Sequence, residues 1–297
     1  MKFGITTHYF KPYTKDMVEL YEGLKKAGYD CIDYSMYDKM FVPHPIFSES
    51  REKWVEYHKN ARKIIEDNGM SVSQAHAIFP PDFTEGHVRD YCNDYEYDHY
   101  KKEIEAASLT GAKYLVVHHH KDGILHNDGL RARAFEKNLE FYNKLLPTFK
   151  DCGIKLAIEN LFYVSTVKED TYERSYIATG RDVVDFINYI GDDYVVSCLD
   201  SGHANMLGVD IEEFITTVGD KLKVLHLHDN YGKADLHLPP LYGNIDWMKL
   251  KSALDKVGYD GVYSMELDGI ARGCNVTLEI MLELAGQALK TIKLLWE

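Results

Sequence analysis

The sequence predicts a single-domain α/β protein, a (β/α)8 TIM barrel, from three observations. Seven amphipathic stretches end in glycine (Gly28, Gly69, Gly111, Gly153, Gly191, Gly219 and Gly258), and a short apolar or β-branched run follows each within a few residues. Five of the six intervals between these stops are 38–42 residues and the other is 28, which is the pace of a repeated helix–strand unit. The length, 297 residues, suits one barrel of about 250 residues plus insertions. Eight strands alternating with eight helices imply an all-parallel sheet, because parallel strands need crossover helices. The barrel closes such a sheet; a doubly wound open sheet is the competing arrangement.

The elements follow in order. The chain opens on a strand, Phe3 to Thr7, with no apolar signal segment ahead of it. Seven further runs are read as strands: Cys31–Tyr34, Val72–Ala75, Tyr114–Val117, Lys155–Ile158, Tyr194–Ser197, Val224–Leu227 and Val262–Met265. Between them, stretches such as Trp54–Asp67, Ala134–Phe149 and Asp210–Val218 place apolar residues at three- and four-residue steps, the helical period. A glycine just past a helix end turns left-handed without Cβ strain, so each stop marks a C-terminus. Two connections are longer than a plain strand-to-helix loop. One runs from Ile78 to about Tyr97 and carries Phe79, Phe83, Tyr91, Tyr95 and Tyr97; the other runs from Phe162 to Ala178 and carries Tyr163, Tyr172 and Tyr176. Both follow strands, so both are expected over the barrel mouth as lids or binding walls.

Composition narrows the function. With 45 % hydrophobic and 27 % charged residues the chain can bury a full core, and no uncharged apolar run reaches membrane-spanning length. The net charge of −13 repels phosphate backbones and anionic membranes, so neither nucleic acid nor a membrane is expected as a partner. Five scattered cysteines without a C-x-x-C pair fit a reducing cytoplasm rather than a disulfide framework. A homo-oligomer is compatible with all of this.

Barrel active sites are built at the C-terminal ends of strands. There the sequence reads His8, Asp33, His76, His118-His119-His120, Glu159-Asn160, Asp200-Ser201-Gly202-His203, His226-Leu227-His228, Asp235-Leu236-His237 and Glu266. Nine of the 14 histidines fall in this ring, so the clustering itself points to a shared centre. Carboxylates converging on one mouth repel each other unless a cation lies among them, and imidazole with carboxylate suits a divalent transition-type metal. Glu159 and Glu266 each close an apolar strand and are ligand candidates. Asp200 and His203 bracket a tight Ser-Gly turn that lets both face one centre. Strand alternation puts His226 and His228 on one face, one for metal and the other for substrate or a supporting contact. His76 and His118 are further substrate-contact candidates, and Asp235 with His237, joined by His203, is a candidate second metal site. His119 is expected to point away from its neighbours.

These strand-end segments, together with Gly243-Asn244-Ile245-Asp246-Trp247 and Gly258-Tyr259-Asp260-Gly261, resemble the xylose-isomerase-like TIM-barrel superfamily over essentially the whole chain. Within it they look most like sugar phosphate isomerases/epimerases, including the ketose 3-epimerases. The resemblance implies one divalent metal (Mn, Co, Mg or Zn) on Glu159, Asp200, His226 and Glu266, with the two glutamates as the acid/base pair and His203 on substrate. It implies proton transfer beside the carbonyl of a ketose or related sugar through an enediolate. Those epimerases carry an arginine six residues after the metal histidine, where this chain has Gly232. A lyase or dehydratase on the same site, like inosose dehydratase or a 3-keto-glycoside lyase, is one alternative. Another is a three-zinc apurinic-site endonuclease, whose ligand pattern traces onto His76, His118, Glu159, Asp200, His203, His226, Asp235, His237 and Glu266.

Overall fold

A computed structural model describes residues 1–39, 42–79, 93–120, 128–164 and 172–297. Eight strands, β1 (Lys2–Thr6), β2 (Cys31–Ser35), β3 (Ser71–His76), β4 (Tyr114–Val116), β5 (Lys155–Glu159), β6 (Val195–Asp200), β7 (Leu222–His226) and β8 (Val262–Met265), form one sheet. Its order is β7-β6-β5-β4-β3-β2-β1-β8 and every ladder is parallel. Sequential order with β1 beside β8 excludes the doubly wound sheet. The two ends of the sheet meet through a single parallel bridge, Leu227 to Met265. There the Leu227 N–H donates to Ser264 O at 2.8 Å and the Glu266 N–H to Leu227 O at 3.1 Å.

Nine described helices surround the sheet: α1 (Met17–Ala27), α2 (Arg51–Asp67), α3 (Asp94–Thr110), α4 (Asp128–Cys152), α5 (Gly180–Ile190), α6 (Ser201–Met206), α7 (Ile211–Val218), α8 (Trp247–Lys256) and α9 (Leu278–Trp296). Side chains satisfy the free N–H groups at several starts: Asp16 on α1, Asp210 on α7, Asp246 on α8 and Thr277 on α9, with reciprocal capping boxes at Asn93/Glu96 and Thr179/Asp182. All seven glycine stops have positive φ, from 57° to 103°, a region costly for any residue with a Cβ. The short α6 adds one helix to the expected eight. No described helix is long and apolar enough to cross a membrane.

Strand alternation divides the core in two. Val116, Ala157, Val196, Cys198 and Val224 form one buried cluster, while Leu115, Leu156, Ile158, Leu199 and Leu225 join the larger cluster that packs with the helices. Two residues beyond the small cluster, on the same face of each strand, come His118, Glu159, Asp200 and His226. The interior file of side chains therefore changes from apolar to ionisable as each strand ends.

The long connections differ from expectation. The first is shortened because α3 begins at Asp94, so Tyr95 is an exposed helix residue and Tyr97 packs in the core against Phe141. The second forms an antiparallel hairpin, Phe162–Val164 with Tyr172–Arg174, and buried Tyr176 packs on Phe186. A second hairpin joins Tyr37–Lys39 to Val42–Pro43. Phe79 and Phe162 do reach the mouth, 4.4 Å from the His118 ring and 5.0 Å from the His203 ring. Phe83, Tyr91 and Cys92 lie outside the described residues, as do the side chains of Tyr163 and Tyr172.

Candidate metal centre

The strand ends bring the expected acids and imidazoles together. Asp200, His226 and Glu266 each offer a ligand atom within 4.8 Å of the others, as do three further groups: His76/Glu159/His226, Glu159/Asp200/His203, and His203/His228/Asp235/His237. His226 Nδ1 lies 3.4 Å from Glu159 Oε2 and 3.6 Å from Glu266 Oε2, so strands β5, β7 and β8 meet at one point. On one flank His118 Nε2 is 3.1 Å from Glu159 Oε2 and 3.2 Å from His76 Nε2. On the other, Asp235 Oδ2 is 3.0 Å from His237 Nε2 and 3.7 Å from His203 Nε2. Glu159 connects the flanks, its Oε1 lying 3.1 Å from His203 Nδ1.

Local structure explains this convergence. Asn160 ties β5 to β6: its amide donates to Asp200 O at 3.0 Å and its carbonyl accepts the Asp200 N–H at 2.8 Å. Asp200 caps α6 by accepting the His203 N–H at 2.7 Å, and this turns His203 over the mouth. His228 lies 3.0 Å from Asp200 Oδ2 through Nε2 and stacks on His237, ring centroids 3.8 Å apart. A Cβ on Gly202 would lie 1.9 Å from His228 Cε1, so only glycine leaves room for that ring. The loop bearing Asp235 and His237 folds around buried Asp229, which accepts from the Asn230, Leu241 and Ile245 N–H groups and from Trp247 Nε1. His237 itself has φ of 48°, a strained conformation of the kind that collects at functional sites.

Electrostatics separates the two glutamates. Burial opposes ionisation of Glu159, but His118 and His226 outweigh it and hold the carboxyl well below its usual range. Burial pushes Glu266 up; Asp200 and Glu159 add to the rise against His226 and His237. His237 rises to about 10 because Asp235 and Asp268 outweigh burial. His8, also at the mouth, is pushed by burial down to about 4.

The other candidates have different surroundings. His119 turns away, as expected, with its Nε2 3.0 Å from Ser175 Oγ, and His120 packs on Phe141. Tyr37, 5.7 Å from the His76 ring with its buried hydroxyl unbonded, is a mouth residue that the sequence reading missed. It follows β2 in a run of aromatics with no signal to single it out.

A divalent cation fits this donor set. His226 Nδ1, His228 Nδ1 and Asp235 Oδ1 are buried without a hydrogen bond, and buried polar atoms are ordinarily satisfied. The barrel and its mouth define a protein with a potential divalent-metal site built from strand ends. The chain matches the Xylose isomerase-like TIM barrel family over residues 22–285 and belongs to that family. A D-psicose 3-epimerase of Enterocloster bolteae is 31 % identical over 147 residues, covering 49 % of this chain and 43 % of that one. Another, of Ruminiclostridium cellulolyticum, is 23 % identical over 269 residues, covering 90 % and 83 %. The matches to the first three curated relatives span 44 %, 43 % and 48 % of those relatives' length. A crystal structure of D-psicose 3-epimerase with D-tagatose from Clostridium cellulolyticum H10 superposes with a TM-score of 0.74 at 18 % identity, covering 100 % of both chains, which establishes a shared fold.

Proposed function

We propose that the protein is a divalent-metal-dependent isomerase or epimerase acting on a ketose or related sugar. One observation carries the reading: Glu159 and Glu266, from β5 and β8, approach the same His226 nitrogen at 3.4 and 3.6 Å, with their acidities displaced in opposite directions. Two carboxyls so separated are the pattern of a base paired with an acid. Glu159, Asp200, His226 and Glu266 would hold the cation, of the Mn, Co, Mg or Zn kind. When bound, it supplies Lewis-acid polarisation of the substrate carbonyl and neighbouring hydroxyl. Glu159 removes the proton from the adjacent carbon, and Glu266 delivers one to the enediolate. His76, His118, His203 and His228 orient hydroxyls or steady the acids, while Phe79 and Phe162 keep water from the reacting face. The family relationship and the D-psicose 3-epimerase relatives support this class.

The test is incubation with Mn2+ and a panel of ketoses and ketose phosphates in D2O. Deuterium entering the carbon beside the carbonyl without other mass change is the expected result. Loss of 18 mass units would mean a dehydratase, and no exchange on any sugar would overturn the reading.

The outer groups favour a second reading, hydrolysis at a centre of several metals. His76/His118/Glu159 and His203/Asp235/His237 flank the central set, as the apurinic-site endonuclease pattern requires. The −13 charge opposes a DNA substrate. Elemental analysis separates the two: one metal per chain for the isomerase, three with cleavage of abasic duplex for the alternative.

A further inference from the structure

Asp33 is a carboxylate the proposed chemistry does not use. It lies on β2, inside the barrel and fully buried. A lone carboxylate there is costly unless donors face it. Its Oδ2 accepts from Gln74 Nε2 at 2.9 Å and from Thr6 Oγ1 at 3.2 Å. Gln74 in turn reaches Leu225 O on β7 at 3.3 Å, tying this group to the residue before His226. The same Oδ2 stands 3.2 Å from His226 Nε2, the shortest ion-pair distance of that ring.

We infer that Asp33 is the positioning residue for His226: it selects the tautomer with the proton on Nε2 and leaves the Nδ1 lone pair facing the acids. The argument is one of donors and acceptors. With Gln74 and Thr6 both donating to Oδ2, that oxygen acts as an acceptor, and an unprotonated Nε2 facing it would set two lone pairs against each other. The proton therefore belongs on Nε2. Neither ring nitrogen completes a hydrogen bond among the described residues; with Nε2 set against Asp33, the nitrogen left bare is Nδ1, which lies between Glu159 and Glu266. A carboxylate behind a metal histidine fixes the ring and makes it a better donor, and losing such a partner typically weakens metal binding about 10–100-fold.

The inference rests on His226 being a metal ligand. The experiment measures Mn2+ binding to the cation-free full chain by calorimetry, with D33N and D33L beside the wild type. Asn keeps an acceptor oxygen but loses the charge; Leu loses both. Expected is Mn2+ affinity falling roughly 10-fold in D33N and further in D33L, with the melting temperature of cation-free D33N unchanged. Equal affinity in wild type and D33N overturns the positioning role alone; a wild type that binds no Mn2+ overturns the metal reading with it. A second measurement needs no Asp33 variant. Long-range 1H–15N spectra of the 15N-histidine-labelled wild type, with His226 assigned by difference from H226Q, should show the Nε2-protonated form, and an Nδ1-protonated ring refutes the proposal.

Discussion

At the C-terminal mouth the strands end in His76, Glu159, Asp200, His226 and Glu266, all buried; at the N-terminal mouth stand Lys2, Lys113, Lys155 and Lys223, exposed or half-buried. The N-terminal mouth opens on a hollow of about 920 Å3, large enough for a ligand, and several charges around it pair with neighbours. Arg62 pairs with Glu66, Lys251 with Asp255, and Lys155 donates to Asp193 O. Exposed pairs of that sort keep most of their hydration and contribute little to stability. Acids buried side by side have no such relief, and all four described groups of metal-ligating side chains involve the C-terminal mouth. A large cavity is thus a poorer guide to chemistry than a small region where ionisable groups have been taken out of water.

Four measurements can break or sharpen this contrast. The largest effect belongs to the acids: E159Q and E266Q, which keep shape and lose charge, should each lower kcat by roughly 10²–10⁴-fold in the exchange assay. Near-normal turnover in both would remove the acid/base assignment. Next is G202A, whose methyl group must displace the His228 ring. A shift of about 1 Å near the reacting groups is expected to cost on the order of 10²-fold in kcat. Circular dichroism would check that the fold persists.

His58 provides a buried histidine away from either mouth. Burial holds it down at about 4, against 6.5 when free. The unfolded chain therefore binds a proton between these values that the folded chain excludes. Its contribution to stability is complete above pH 6.5 and declines as the pH falls towards 4, by on the order of 1–3 kcal/mol. Urea titrations from pH 7 to 4 should show a shallower decline in H58F than in wild type; parallel curves would exclude His58 as a source. The smallest effect is expected at the N-terminal mouth, where K113A should change stability by less than about 0.5 kcal/mol and leave kcat unaltered. A loss of turnover there would make the two mouths functionally coupled.

Much of the fold was legible in the sequence because one physical signal repeated. Each helix stop needed a positive φ, which selects glycine, and each strand needed a short apolar run to fill the barrel. The site was legible for a related reason, since Glu159 and Glu266 each interrupt an apolar strand with a charge the core does not want. Other features left no such mark. Asp229 stands among His226, His228 and Asn230 like another ligand, yet its carboxylate is consumed by amides up to 16 residues later and by the Trp247 indole. Only the folded loop distinguishes it from Asp235. The hairpin at Tyr37–Lys39 and Val42–Pro43 was missed because its strands are too short to display a period.

The seam between β7 and β8 has a mechanical consequence. Elsewhere adjacent staves pair over two to five residues, but here a single bridge joins Leu227 to Met265, and His226 and Glu266 flank it. An ion gripped by both residues would act as a clasp across the least-paired joint of the cylinder. Loading the ion and fastening the barrel along that edge would then reinforce each other.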